Sequence, residues 1–220
     1  MAFMADLEAA RERLLRRLRE EISDERVLAA MARVPREFFV SSDSRHLAYE
    51  DIPLPIGYGQ TISQPFIVAL MTQGLALGGN EKVLEVGTGS GYQTAVLAEL
   101  VRRVITTERH RALADSARAL LESLGYRNVE VKLAGKTLGW PEGAPYDAIL
   151  VTAGSPQIPP SLLEQLAIGG RMVIPVGPKE EQDLLQVKKL RTRIHTVILG
   201  PCRFVPLVGE GAWSEERSNP

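Results

Sequence analysis

The chain has 220 residues, 45% hydrophobic and 24% charged, which is the usage of a folded protein of one sizeable domain. Lys and Arg total 26 against 27 Asp and Glu, and this balance excludes a bulk polyanion binder, whose affinity rests on many uncompensated cations. The one cysteine, Cys202, excludes an internal disulfide and a multi-thiolate zinc site, and it suits a reducing compartment.

Residues Met4 to Glu21 have helical spacing, with Leu7, Leu14, Leu15 and Leu18 on one stripe. The segment is too charged for a signal peptide. Its five arginines, from Arg11 to Arg19, read as a solvated face paired at i,i+4 with Glu8, Glu12, Glu20 and Glu21 rather than as a phosphate-binding face. Asp24 predicts the N-cap of a second helix running to about Arg33, which Pro35 stops. From Pro35 to Pro65 the pattern is irregular, punctuated by Pro53, Pro55, Gly57, Gly59 and Pro65. A stretch of that length without regular structure is uncommon and is often functional. The longest apolar run, Phe66 to Leu77, is interrupted by Thr72, Gln73 and Gly74 and falls short of the roughly 20 residues that span a bilayer. A cytoplasmic protein with no membrane partner is expected.

The pattern then becomes regular. Strands are expected at Lys82 to Gly87, Arg103 to Glu108, Asn128 to Leu133, Tyr146 to Thr152 and Arg171 to Val176. Helices are expected at Gly91 to Val101, at Arg111 to Leu124 with Gly125 closing it, and at Pro160 to Leu166. Short apolar strands alternating with helices imply an α/β fold, a mostly parallel sheet covered on both faces. Asp183 to Leu190 and His195 to Leu207 read as strands with no helix between them, an antiparallel addition at the sheet edge. The expected division is one domain over 1–220: a helical extension (1–35), an active-site segment and helix (36–80), a cofactor-binding core (81–178), and C-terminal strands with a tail (179–220).

The first of these strands delivers Glu85-Val-Gly87-Thr88-Gly89-Ser90-Gly91-Tyr92. Glycines at alternate positions allow a tight strand-to-helix turn and let a ligand lie on bare backbone. A dinucleotide fingerprint needs glycine where Tyr92 stands. A second acid, Glu108, ends the next strand, where a carboxylate accepts hydrogen bonds from a ribose diol. Together these favour S-adenosyl-L-methionine over NAD. Ser90 lacks the G-x-S-x-G context of a nucleophile elbow. His46, His110 and His195 are isolated in sequence, read as surface or strand positions, and have no metal-ligand spacing. No metal is expected.

The irregular segment reads Asp51-Ile-Pro-Leu-Pro-Ile-Gly57-Tyr-Gly59-Gln60-Thr61-Ile62-Ser63-Gln64-Pro65. It closely resembles the signature of the protein-L-isoaspartate O-methyltransferases. The likeness extends through Val34 to Val40, Val83 to Tyr92, Ala144 to Ala153, Gly169 to Gly177 and Arg203 to Leu207, so it covers about residues 24 to 209. The resemblance implies a Rossmann-like methyltransferase fold and S-adenosyl-L-methionine as methyl donor, with S-adenosyl-L-homocysteine as product. It implies methylation of the α-carboxylate of L-isoaspartyl residues in damaged proteins, with collapse through a succinimide to aspartyl. Ser63 matches the serine usually assigned as the active-site residue. Gln60, Thr61 and Ile62 would line the cleft beside it, and Val205, Pro206 and Leu207 would bind the substrate backbone. Glu85, Gly87, Thr88, Gly89, Ser90, Gly91, Glu108 and Arg109 would hold the cofactor. Damaged proteins are the expected partners, nucleic acid is not, and a monomer is expected.

One departure bears on the cofactor. After the Asn128 to Leu133 strand the family has Gly-Asp-Gly, whereas this chain has Ala134-Gly135-Lys136. The resemblance puts Gly135 and Lys136 at the adenine end, without the aspartate that would accept from the adenine amino group. A lost charge-assisted hydrogen bond costs about 1.5–3 kcal/mol, so a weakened cofactor site is expected. Two alternatives stay open: a carboxyl methyltransferase of another peptide substrate, and an isoaspartyl-binding relative with impaired cofactor affinity.

Overall fold

The structure is a computed structural model and describes residues 2–214. The end of the expected 179–220 stretch therefore lies outside the described residues. Helix α1 (Ala2–Leu18) turns Leu7, Leu14 and Leu18 inward against α2 (Glu25–Arg33), which contributes Val27, Leu28 and Met31. Each such side chain gains about 1.5–3 kcal/mol by leaving water. Asp24 caps α2 as expected, its carboxylate accepting from the Arg26 amide at 3.0 Å. The α1 charges pair differently from the expectation: Arg11 meets Glu8 at i,i+3, and Arg19 reaches across to Glu25.

The irregular segment is more ordered than its composition suggests. Two short 3-10 turns, Arg36–Phe38 and Ser42–Leu47, lead into a hairpin of β1 (Leu54–Gly57) and β2 (Gln60–Ile62). Gly57, Tyr58 and Gly59 form its tip, all with positive φ. Helix α3 (Pro65–Gly74) follows, with Pro65 at its start, where a missing amide hydrogen costs nothing.

A seven-stranded sheet forms the centre. It comprises β3 (Lys82–Val86), β4 (Arg103–Glu108), β5 (Val129–Leu133), β6 (Tyr146–Val151), β7 (Leu166–Val176), β8 (Gln182–Lys189) and β9 (Ile194–Cys202), in the order β5-β4-β3-β6-β7-β8-β9. Strands β3 to β7 pair in parallel, and β8 and β9 are antiparallel additions. The expected α/β architecture and its antiparallel edge are both present. Helices α3, α4 (Tyr92–Ala98) and α5 (Arg111–Ser123) lie on the face that carries Val83, Val104 and Leu150. Helix α6 (Pro160–Gln165) covers the other face, with Leu84, Ile149 and Met172. The chain runs from β3 outward to β4 and β5, then returns past β3 to β6. The crevice outside the carboxyl ends of β3 and β6 is therefore a topological switch point, where open α/β sheets bind ligands.

Two strand expectations need correction. β7 begins at Leu166, not Arg171, because residues 167–170 bulge between the Tyr146–Leu166 and Ala148–Arg171 pairs, and a glycine pair masks the strand pattern. The strand expected to run from His195 to Leu207 leaves the sheet after Cys202. Residues 203–207 instead cross toward the carboxyl ends of the parallel strands, where Pro206 bridges Gly154.

Candidate functional site

The glycine loop sits at the switch point. Gly87, Gly89 and Gly91 have φ of +102°, +53° and +89°. The Gly87 and Thr88 amides donate to the Thr107 carbonyl at 2.9 and 3.1 Å, which ties the loop to β4. At Gly87 a side chain is impossible, since a Cβ would collide with the Thr152 hydroxyl. That hydroxyl donates to the Gly87 carbonyl at 2.7 Å. The loop is thus clamped from both neighbouring strands.

Glu108 ends β4 and is 5% exposed. One carboxylate oxygen accepts from the Gly89 amide and the other from the His110 amide, each at 2.9 Å. Each oxygen keeps a lone pair for a further donor. Glu85 behaves otherwise. It is completely buried, with one oxygen accepting from Thr94 at 2.5 Å and Thr106 at 2.6 Å and the other without a partner among the described residues. Burial pushes its pKa up to about 8, which favours the neutral acid over the carboxylate. Thr106 also bonds Thr88 at 2.7 Å, so Glu85 supports the loop from beneath.

A cavity of about 780 Å³ opens above the loop, a size suited to a small-molecule site. The residues expected to hold cofactor and substrate converge on it: Gln60, Thr61, Ile62 and Ser63 from β2 and its end; Gly87, Thr88, Gly89 and Ser90 from the loop; Glu108 and Arg109; Gly135 and Lys136; and Val205, Pro206 and Leu207. Glu85 and Gly91 lie off its wall. Gly91 instead stands at the N-cap of α4, and an added Cβ there would press on Leu121 and Ala117 of α5.

Ser63 stands between β2 and α3. Ser63 does not cap α3; Asp51 does, its carboxylate accepting from the Phe66 amide at 2.8 Å. Among the described residues no hydrogen bond engages the Ser63 hydroxyl, while its carbonyl accepts from Arg36 at 2.8 Å. Residues 205–207 are held by Gly154, whose amide donates to Val205 and whose carbonyl accepts from Leu207, both at 2.8 Å.

Other wall residues were not legible from the sequence. His110, read as isolated, lines the cavity and stacks on Tyr58 of the hairpin tip. Trp213 closes the side near Leu207, its indole donating to Gly154 at 3.1 Å. Gln93 and Tyr92 follow the glycine loop onto the wall. Among the described residues no group of three or more His, Cys, Asp or Glu side chains could hold a metal ion, and no helix is long and apolar enough to cross a membrane.

Comparison with known proteins agrees with this geometry. The family model described as protein-L-isoaspartate(D-aspartate) O-methyltransferase matches residues 9–212. The chain is 56% identical over 192 residues to the protein-L-isoaspartate O-methyltransferase of Syntrophus aciditrophicus, covering 86% of this chain and 88% of that one. It is 53% identical over 212 residues to protein-L-isoaspartate O-methyltransferase 1 of Syntrophobacter fumaroxidans, covering 96% and 99%. Among solved structures, a protein-L-isoaspartate O-methyltransferase superposes with a TM-score of 0.82 at 30% identity, over 92% of this chain and 67% of that one. A putative Plasmodium falciparum protein-L-isoaspartate O-methyltransferase in complex with S-adenosyl-L-homocysteine superposes with a TM-score of 0.77 at 27% identity, over 90% and 96%. A glycine loop at the switch point, an acid at the end of the next strand and this likeness along nearly the whole chain agree: the chain belongs to the protein-L-isoaspartate(D-aspartate) O-methyltransferase family.

Proposed function

We propose that the protein transfers the methyl group of S-adenosyl-L-methionine to the α-carboxylate of L-isoaspartyl residues in damaged proteins, and so initiates their repair. The observation that carries this reading is the convergence of Ser63 and the glycine loop on one cavity, in a chain whose family match runs over residues 9–212.

The residues present suit the cofactor. Glu108 offers acceptor oxygens to the two hydroxyls of a ribose, and the side-chain-free surface at Gly87 and Gly89 admits a ligand against the backbone. Gly135 and Lys136 border the adenine end. When bound, S-adenosyl-L-methionine supplies an electrophilic methyl group on a sulfonium. The other reactant is a carboxylate, ionised at pH 7 with a reference pKa near 4, so no general base is needed. This chain contributes orientation. The Ser63 hydroxyl, uncommitted among the described residues, donates to the substrate carboxylate and fixes its direction of approach. Gln60, Thr61 and Ile62 form the adjoining wall, and residues 205–207 hold the peptide backbone. Excluding water strips solvent from two opposite charges that neutralise each other in the reaction.

In this reading all four stretches of the chain serve one domain. It works in the cytoplasm as a monomer, with neither nucleic acid nor membrane as partner; the near-balanced charge speaks against a nucleic-acid partner. The test is methyl transfer from labelled S-adenosyl-L-methionine to two matched peptides, one with L-isoaspartate and one with L-aspartate. Base-labile methylation of the first alone is expected. Equal methylation of both, or of neither, would overturn the substrate assignment.

A further inference from the structure

Arg36 is a charged side chain held in the interior beside the cavity. It is completely buried and does not itself line the cavity, but it lies behind residues that do. Its Nε donates to the Ala48 carbonyl and its Nη2 to the Ser63 carbonyl, both at 2.8 Å. Its guanidinium carbon lies 4.6 Å from the ring centroid of Tyr92. Tyr92 is the first residue of α4, directly after Gly91, and its ring meets the edge of Phe39. One planar group therefore joins the backbone of Ser63 to the helix that continues the glycine loop.

The third nitrogen, Nη1, is buried without a hydrogen-bond partner among the described residues. Burying a cation and leaving one donor unpaired detracts from stability, and apolar side chains of similar volume often replace buried charges without loss. Packing alone does not explain an arginine here. A lysine could not supply the same geometry, since it is a point donor, while arginine presents a rigid fork with a stacking face.

We propose that Arg36 is a positioning residue for methyl transfer: by clamping the Ser63 carbonyl while stacking on Tyr92, it sets the distance between the serine and the glycine loop. This rests on the reading of Ser63 given above. The serine hydroxyl orients one reactant and the loop cradles the other, so a shift of about an ångström between them is enough to misalign the transfer.

The test compares wild type, Arg36→Lys, Ser63→Ala and the double variant. It measures kcat on the isoaspartyl peptide, the Kd of S-adenosyl-L-homocysteine by calorimetry, and the melting temperature. Arg36→Lys should lower kcat roughly 10- to 100-fold and leave the Kd within about threefold. The double variant should be little slower than Ser63→Ala alone, because one residue acts through the other. If Arg36→Lys does not fold, Arg36→Met is measured in its place. A folded variant with kcat within about twofold of wild type would overturn the proposal. So would kcat and Kd worsening together, effects that multiply in the double variant, or failure of both substitutions to fold. If Ser63→Ala keeps full activity, the reading of Ser63 fails and this inference falls with it. If Ser63→Ala is slow and Arg36→Lys is not, only this inference fails.

Discussion

The Tyr58 ring lies stacked on the His110 imidazole, with centroids 5.4 Å apart and planes 26° apart. Tyr58 is at the hairpin tip with a φ of +53°, and His110 precedes α5 beside Glu108. The stack fastens the hairpin to the wall at the Glu108 end of the cavity. Ring pairs of this kind contribute about 0.5–1.5 kcal/mol beyond area burial. Tyr58→Ala is therefore expected to weaken S-adenosyl-L-homocysteine binding by up to about tenfold and to speed its release. Stopped-flow dissociation and calorimetry measure both. An unchanged release rate would show that the hairpin does not restrain the ligand.

Gly135 stands where the family pattern has aspartate, and the fold leaves room for one. A Cβ there meets nothing within 4 Å, and the backbone is outside the left-handed region. Restoring a carboxylate acceptor for the adenine amino group should contribute about 1.5–3 kcal/mol. Gly135→Asp is expected to tighten cofactor binding at least tenfold, with no loss of melting temperature. Calorimetry on the two proteins decides it, and equal Kd values would mean that other groups already satisfy the adenine.

The parts of this molecule written in the sequence are those whose cause is local. The apolar run of β3 and its glycines mark a buried strand and a tight turn wherever they occur. Asp24 caps α2 through a bond two residues away. The residues missed act over long separations. Nothing near Arg36 in sequence points to the Ser63 carbonyl, 27 positions on. Tyr58 and His110 meet only because the hairpin folds over the end of β4. Trp213 reaches Gly154 after the chain leaves the sheet, which the alternating pattern past Cys202 concealed. Asp51 caps α3 from 15 residues upstream, a contact that no local pattern announces.

Two of the loop glycines, Gly87 and Gly89, are expected to respond unequally to substitution. Gly87 combines a φ of +102° with the Thr152 hydroxyl in the path of a Cβ, and that hydroxyl is committed to two carbonyls. Gly89 has a φ of +53°, where other residues occur, and its Cβ would press on the end of the Ile56 side chain at 3.3 Å. Gly87→Ala should cost several kcal/mol, about 3 or more, through strain and collision together. Gly89→Ala should cost about 1–2 kcal/mol. Urea denaturation of both variants tests the order, and equal losses would contradict it.

Glu85 makes stability depend on pH in the direction opposite to a salt-bridged acid. Its pKa is near 8 when folded and starts from 4.5 in the ordinary state, because burial disfavours the charge and Glu108 adds repulsion. Below about pH 4.5 both states are protonated and the group contributes no pH dependence. Between 4.5 and 8 the unfolded chain releases a proton that the folded chain retains, so stability falls as pH rises, by at most about 1.4 kcal/mol per unit. Above 8 the slope ends. In Glu85→Gln the side chain keeps an oxygen for Thr94 and Thr106 and has nothing to ionise. The difference in melting temperature, variant minus wild type, should therefore grow steadily from pH 5 to pH 8. Two units within this window correspond to about 2–3 kcal/mol, or roughly 5–10 °C for a chain of this size. Melting curves that stay parallel across that range would mean that Glu85 is ionised in the folded protein, with water or a shifted neighbour meeting its unpaired oxygen.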